Sequence, residues 1–234
     1  MNNEIIHLPV SLGEAIDKLT ILDIKLDNIK DSRKIDVKAE YDLLYEKLNK
    51  FINKYNDLYI SMKKVNLIIW NQMDILRDSD TTNKTYMKIC KECIEMNDIR
   101  FRIKNKINLI SNSSLKEQKG YKISRIILIF DLEDYDSNDS KILLDIFIKP
   151  IKYLSYIYDE IVIINNTSEN INNIYNNLST YFIYDTTIKF LKYLENDIEY
   201  IRKIEIKKQN INNYNITNTD YIYTLFGINI KYDI

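Results

Sequence analysis

From residue 34 to residue 80 the chain contains neither glycine nor proline, and its apolar residues step by alternating four and three positions. The series runs Val37, Tyr41, Leu44, Leu48, Phe51, Tyr55, Leu58, Met62, Val65, Ile69 and Leu76, with Gln72 in the one polar slot. A strand would need strict alternation; a seven-residue repeat predicts a long helix packed along its whole length. Asp78-Ser79-Asp80-Thr81-Thr82-Asn83 reads as a turn. Beyond it, Met87, Ile89, Cys90, Cys93, Ile94, Ile99, Ile103, Ile107 and Ile110 mark a further helix. Two long helices joined by a short polar turn predict an antiparallel hairpin.

Ahead of that hairpin, Ser11-Leu12-Gly13-Glu14 has the form of a capping box, in which a Ser oxygen and a Glu carboxylate satisfy each other's backbone donors. Leu12, Ile16, Leu19, Leu22, Leu26 and Ile29 then trace one helical face, which Lys30-Asp31-Ser32-Arg33 ends. Residues 4–10 read as an extended lead-in or an edge strand.

The polar run Ser111 to Gly120 closes the helical half, and the pattern changes. Ile123–Phe130 and Glu160–Ile164 read as buried strands. Lys141–Tyr158 reads as a helix bent or split at Pro150. Ser168–Leu178 reads as a helix, Tyr181–Tyr184 as a third strand and Ile188–Ile204 as a further helix. Tyr221–Phe226 and Ile228–Tyr232 read as two strands around Gly227. The expectation is an α/β protein: an N-terminal antiparallel α-helical hairpin or bundle over residues 1–112, a linker over 113–120, and a small C-terminal α/β domain over 121–234 with a partly parallel sheet. An α+β arrangement is the rival for the second domain.

Composition narrows the function classes. With 33 basic and 34 acidic residues the net charge is −1, which argues against a surface dominated by phosphate-backbone electrostatics, so nucleic acid is the weakest class of partner. The three glycines form neither of the common phosphate-binding loops. Heavy use of Ile, Asn, Lys and Tyr follows from AT-rich codons, so neither the 19 tyrosines nor the Asn-X-Ser/Thr matches mark a site. No segment approaches the roughly 18 consecutive apolar residues of a membrane span. The opening residues lack the basic start and long apolar stretch of a signal peptide, so the chain reads as cytoplasmic with two free thiols.

Candidate chemistry is sparse. His7 is the only histidine, which removes His-dependent nucleophile triads and multi-His metal sites. Cys90-Lys91-Glu92-Cys93 has metal-ligand spacing but no second pair to complete four ligands, and reads as two apolar thiols on a packed face. Asp131, Glu133 and Asp134, with Asp136 and Asp139, form an acidic loop after a buried strand. Such a loop can hold a divalent cation or simply face solvent. Two polar stripes complete the set: Glu14, Asp17, Lys18 and Lys25 on the first helix, and Asn97, Arg100, Lys104 and Asn108 on the helix before the linker. If those helices are neighbours, Asp17 or Glu14 pairs with Arg100, either fixing register or lining a small polar pocket. No residue is assigned a catalytic or metal-ligating role, and no cofactor is identified.

The string from Gly13 to Lys25, with Trp70, Asn97-Asp98-Ile99-Arg100 and Lys106-Ile107-Asn108, resembles an uncharacterised family, a domain of unknown function with members in bacteria and giant DNA viruses. The resemblance spans residues 5–112. It implies a helical module near glycan or lipopolysaccharide assembly, and it adds Asp98 to the stripe residues. Two functions follow as expectations. The first is a non-catalytic interaction or scaffold protein that self-associates or binds a protein partner through its bundle, assembly failing when Leu48, Leu58 or Val65 become charged. The second is a divergent glycosyltransferase-like enzyme using the Asp131 loop.

Overall fold

The computed structural model describes residues 6–78, 83–120, 122–131, 140–166, 173–194 and 198–207. Contacts divide the chain into two compact units, Met1–Gly120 and Tyr121–Asp233.

Among the described residues the first unit holds four helices: α1 (Leu12–Asn28), α2 (Arg33–Lys54), α3 (Asn56–Arg77) and α4 (Asn83–Ile110). Residues 6–11 form neither helix nor strand, and Ile6, Leu8 and Val10 are exposed. The single long helix expected over residues 34–80 is two helices. Its periodicity continues through Tyr55, but that residue leaves helical geometry at φ −129° and ψ 47°. Asn53, Asn56 and Asp57 flank the break, and short polar side chains favour helix ends over interiors. The break also answers a length mismatch. An unbroken helix of that size would run roughly 66 Å, more than twice the length of α1. With the chain turned at Tyr55, α1 is flanked by both pieces: Lys18 reaches Glu40 on α2, and Asp23 accepts from Tyr59 on α3.

α3 and α4 form the expected antiparallel hairpin, although residues 79–82 of its turn lie outside the described set. α1 lies across this hairpin. Its first turn sits on the C-terminal half of α4, where the Gly13 N–H donates to Asn108 Oδ1 at 2.8 Å. Its last turns sit on the first half of α3, where Lys63 bridges Asp23 and Asp27. Ile16, Leu19, Met62, Val65, Ile103 and Ile107 are fully buried between them. Each such side chain contributes roughly 1.5–3 kcal/mol, so the apolar seam carries most of the stability. α4 closes with a left-handed Asn112 at φ 50°. Ser113 N–H donates to the Asn108 carbonyl and Asn112 N–H to that of Leu109, the paired bonds of a Schellman stop.

The second unit is built on a parallel sheet of order β3-β2-β1-β4, from β1 (Arg125–Asp131), β2 (Glu160–Asn165), β3 (Ile188–Leu191) and β4 (Arg202–Lys207). Helix α5 (Ser140–Ile157) connects β1 to β2 and runs through Pro150; α6 (Asn173–Tyr181) connects β2 to β3. Phe147 of α5 packs edge-on against Phe130, with ring centroids 5.3 Å apart. On the opposite face Ile127, Val162 and Ile164 are covered by Leu191, Leu194 and Ile198.

Two expectations fail in this unit. Phe182–Tyr184 is a turn rather than a strand: Asp185 N–H donates to the Phe182 carbonyl, and the Asp185 carboxylate accepts from both Thr187 N–H and Thr187 Oγ1. Within the span 188–204 expected as one helix stand β3 and the start of β4, with residues 195–197 outside the described set. Ile204 and Ile206 are buried while Lys203 and Glu205 are exposed, a period of two that pairs with β1. The Ser168 cap and the strands expected after residue 220 lie outside the described residues.

Candidate functional site

The polar stripes meet. Arg100 grips Asp17 through two nitrogens: Nε stands 2.8 Å from Oδ1 and Nη2 stands 2.6 Å from Oδ2. One turn along each helix, Lys104 Nζ donates to Glu14 Oε2 at 2.9 Å, and beyond it Asn108 receives Gly13. Gly13 is required for this approach, because a Cβ there would run into the Lys104 carbonyl oxygen and lie 3.0 Å from Asn108 Oδ1. The capping box forms by half. Ser11 Oγ accepts from Glu14 N–H, but the Glu14 carboxylate turns to Lys104.

The other sequence-marked residues stand apart. Lys18 pairs at the surface with Glu40, and the Asn97 amide donates to the Cys93 carbonyl in its own helix. Lys25 and Asp98 are half-buried and form no ion pair among the described residues.

Several participants were missed. Asn66 on α3 donates to Asp17 Oδ1 at 2.8 Å and to Thr20 Oγ1 at 2.9 Å, tying a third helix into the cluster. Asn66 stands four residues after Met62, so its helical face could have been read from spacing. Glu117, in the segment read as a linker, also pairs with Lys104. Ser113 and Lys119 add to this attachment: Ser113 Oγ lies 3.4 Å from Leu12 N, and Lys119 Nζ stands 4.8 Å from the Phe101 ring centre.

Electrostatics match this closed arrangement. Hydrogen bonding to Asp17 raises the Arg100 pKa. Burial pushes Lys104 down, but its bonds to Glu117 and Glu14 outweigh that and raise it. Asp17 is 1% exposed with both oxygens engaged, so it cannot reach a substrate proton. A neighbouring cluster behaves alike: burial and the bond to Asp23 raise the Tyr59 phenol far above its ordinary value, which keeps it neutral.

In the second unit Asp131 is the last residue of β1 and stands in register with Lys207, the last of β4. The chain adds β2 and β3 on one side of β1, then crosses to place β4 on the other. Between β1 and β4 the winding reverses, and open parallel sheets bind ligands outside the strand ends at such a point. Glu133 and Asp134 lie outside the described residues. Among the described residues no group of three or more His, Cys, Asp or Glu side chains could hold a metal ion, and no helix is long and apolar enough to cross a membrane.

The fold and the buried cluster define a class: a four-helix unit braced by a three-helix polar network, followed by a small parallel α/β unit. The chain belongs to a family of unknown function, DUF6165, whose model matches residues 6–136. That match runs past the segment carried by the sequence resemblance and takes in β1 and Asp131. No curated protein matches the chain, and no solved structure does.

Proposed function

We propose that this chain is a non-catalytic interaction protein that self-associates through the outer face of its helical unit. The observation that carries this reading is a set of exposed apolar residues repeating at seven-residue spacing. Ile60 and Leu67 are exposed on α3, Met87 and Ile94 on α4. Scattered exposed apolar residues need no explanation, but repetition at that period makes a seam for another helix. Leu48, Leu58 and Val65 cannot serve as the probes, because they are buried inside the unit and a charge there would unfold it. The double variant Ile60→Lys, Leu67→Lys should keep its helical circular dichroism while its mass by light scattering falls to that of one chain. An unsubstituted chain that scatters as a monomer at every concentration would sink the proposal. A role near glycan assembly rests on the family resemblance of residues 5–112 alone.

A second reading has its own support. Asp131 lies where the sheet winding reverses, within the family match, so a divergent glycosyltransferase-like activity would use that strand end. It predicts a rise in melting temperature with a sugar nucleotide and Mn²⁺ or Mg²⁺, lost in Asp131→Ala. A flat response across a panel of sugar nucleotides removes it.

A further inference from the structure

We propose that Cys90, Cys93 and Met73 form a soft-metal site that takes one Cu(I) ion through three sulfurs. Met73 projects from α3 so that its Sδ lies 4.0 Å from Cys93 Sγ on α4. A trigonal ion held at metal–sulfur distances of about 2.3 Å places its ligands about 4 Å apart, so this pair already stands at ligand spacing. Cys90 is one turn before Cys93 on α4, where side chains three apart share a face with Cβ atoms about 5–6 Å from each other. Met73 and Cys93 thus meet between α3 and α4, and Cys90 lies one turn away on the same side of α4. Thiolate and thioether donors select Cu(I), whereas zinc takes four ligands from thiolate, imidazole and carboxylate.

The surroundings can support a thiolate at Cys93. Asn97 is pinned by its bond to the Cys93 carbonyl at 3.0 Å, and the same amide nitrogen lies 3.7 Å from Cys93 Sγ. An N–H aimed at sulfur steadies the thiolate that binding creates. Cys93 is buried, while Cys90 and Met73 are partly exposed, so the position is reached from solvent. Burial, and then the nearby Cys90, raise the Cys93 thiol above its ordinary value, so Cys93 carries its proton at neutral pH. Binding forms three Cu–S bonds and breaks two S–H bonds. Both protons pass to solvent, no electron moves, and affinity rises with pH. Met73 explains why the C-x-x-C spacing looked incomplete: its third ligand comes from another helix and is not a residue type that metal motifs count.

The test is an anaerobic titration of the full chain, in a thiol-free reductant, with Cu(I) held by the chromogenic chelator bicinchoninate. The chain should withdraw a single equivalent and release protons in weak buffer, and Cys93→Ser should abolish both. Met73→Leu conserves volume and should keep its helical circular dichroism, yet lower Cu(I) affinity by about tenfold or more. No withdrawal of Cu(I) from the chelator would overturn the site. So would unchanged affinity in Met73→Leu, or displacement of the bound Cu(I) by excess Zn²⁺.

Discussion

Asp17 is the residue on which three helices depend, and its energetics are asymmetric. A buried ion pair adds little over an apolar replacement, yet removing one partner leaves an uncompensated charge, at a cost of about 3–5 kcal/mol. Arg100→Met should therefore lower the stability of the helical unit by that amount in urea denaturation. Adding Asp17→Asn should recover much of it, since the amide oxygen can still accept from Asn66 while the stranded charge is gone. If Asp17→Asn leaves the Arg100→Met chain no more stable, the network is not organised around that carboxylate. The pair was legible because both residues recur at helical spacing on stripes that border apolar faces. Asn66 was not read, because a lone Asn inside a heptad run looks like a tolerated solvent residue. Gly13 stood in the capping-box and family strings without a role of its own; that role depends on the Lys104 backbone, which is 91 residues away in sequence.

At the level of elements, local periodicity predicted what a local rule governs. α1, α4, α5 and the strands β1 and β2 lie close to where apolar spacing put them. The break at Tyr55 escaped because one residue can change backbone direction without disturbing the phase of the pattern on either side. β3 and β4 escaped because each is a short edge strand, and their identity is set by pairing with β2 and β1. Glu160 shows how that pairing is secured at the start of the strands, where it bonds Arg125 of β1 and Lys189 of β3. Burial pushes the Glu160 pKa up, but the bonds from Lys189 and Arg125 win and hold it below its ordinary 4.5. A depressed carboxylate pKa gives stability that is complete above 4.5 and is lost as pH falls through the folded value. Glu160→Gln should therefore speed hydrogen exchange of the Ile161–Ile164 amides at neutral pH, relative to the unsubstituted chain. The difference should shrink as pH falls through the folded value of Glu160. A difference that persists in acid would mean the ion pairs are not its source.

For the whole molecule, the question is how much chain the helical unit needs. Composition alone ends it at residue 112, since Ser113 to Gly120 is polar and carries no periodicity. The contacts end it at Gly120. Ser113 stands at the start of α1, Glu117 pairs with the mostly buried Lys104, and Lys119 covers Phe101. A polar segment can thus belong to a fold without a hydrophobic pattern, provided that it satisfies groups the helices bury. The core residues of this unit, from Ile16 to Ile107, come from its own helices, so residues 1–120 should fold alone with a cooperative urea transition. A fragment ending at residue 112 keeps those helices but leaves Lys104 with Glu14 as its one carboxylate partner. Glu117 is about one-third exposed (35%), and solvent screens the pair, so its loss should cost about 1 kcal/mol. Equal midpoints for the two fragments would return residues 113–120 to the status of a linker. A lower midpoint for the shorter fragment, reproduced by Glu117→Gln in the longer one, makes them part of the bundle.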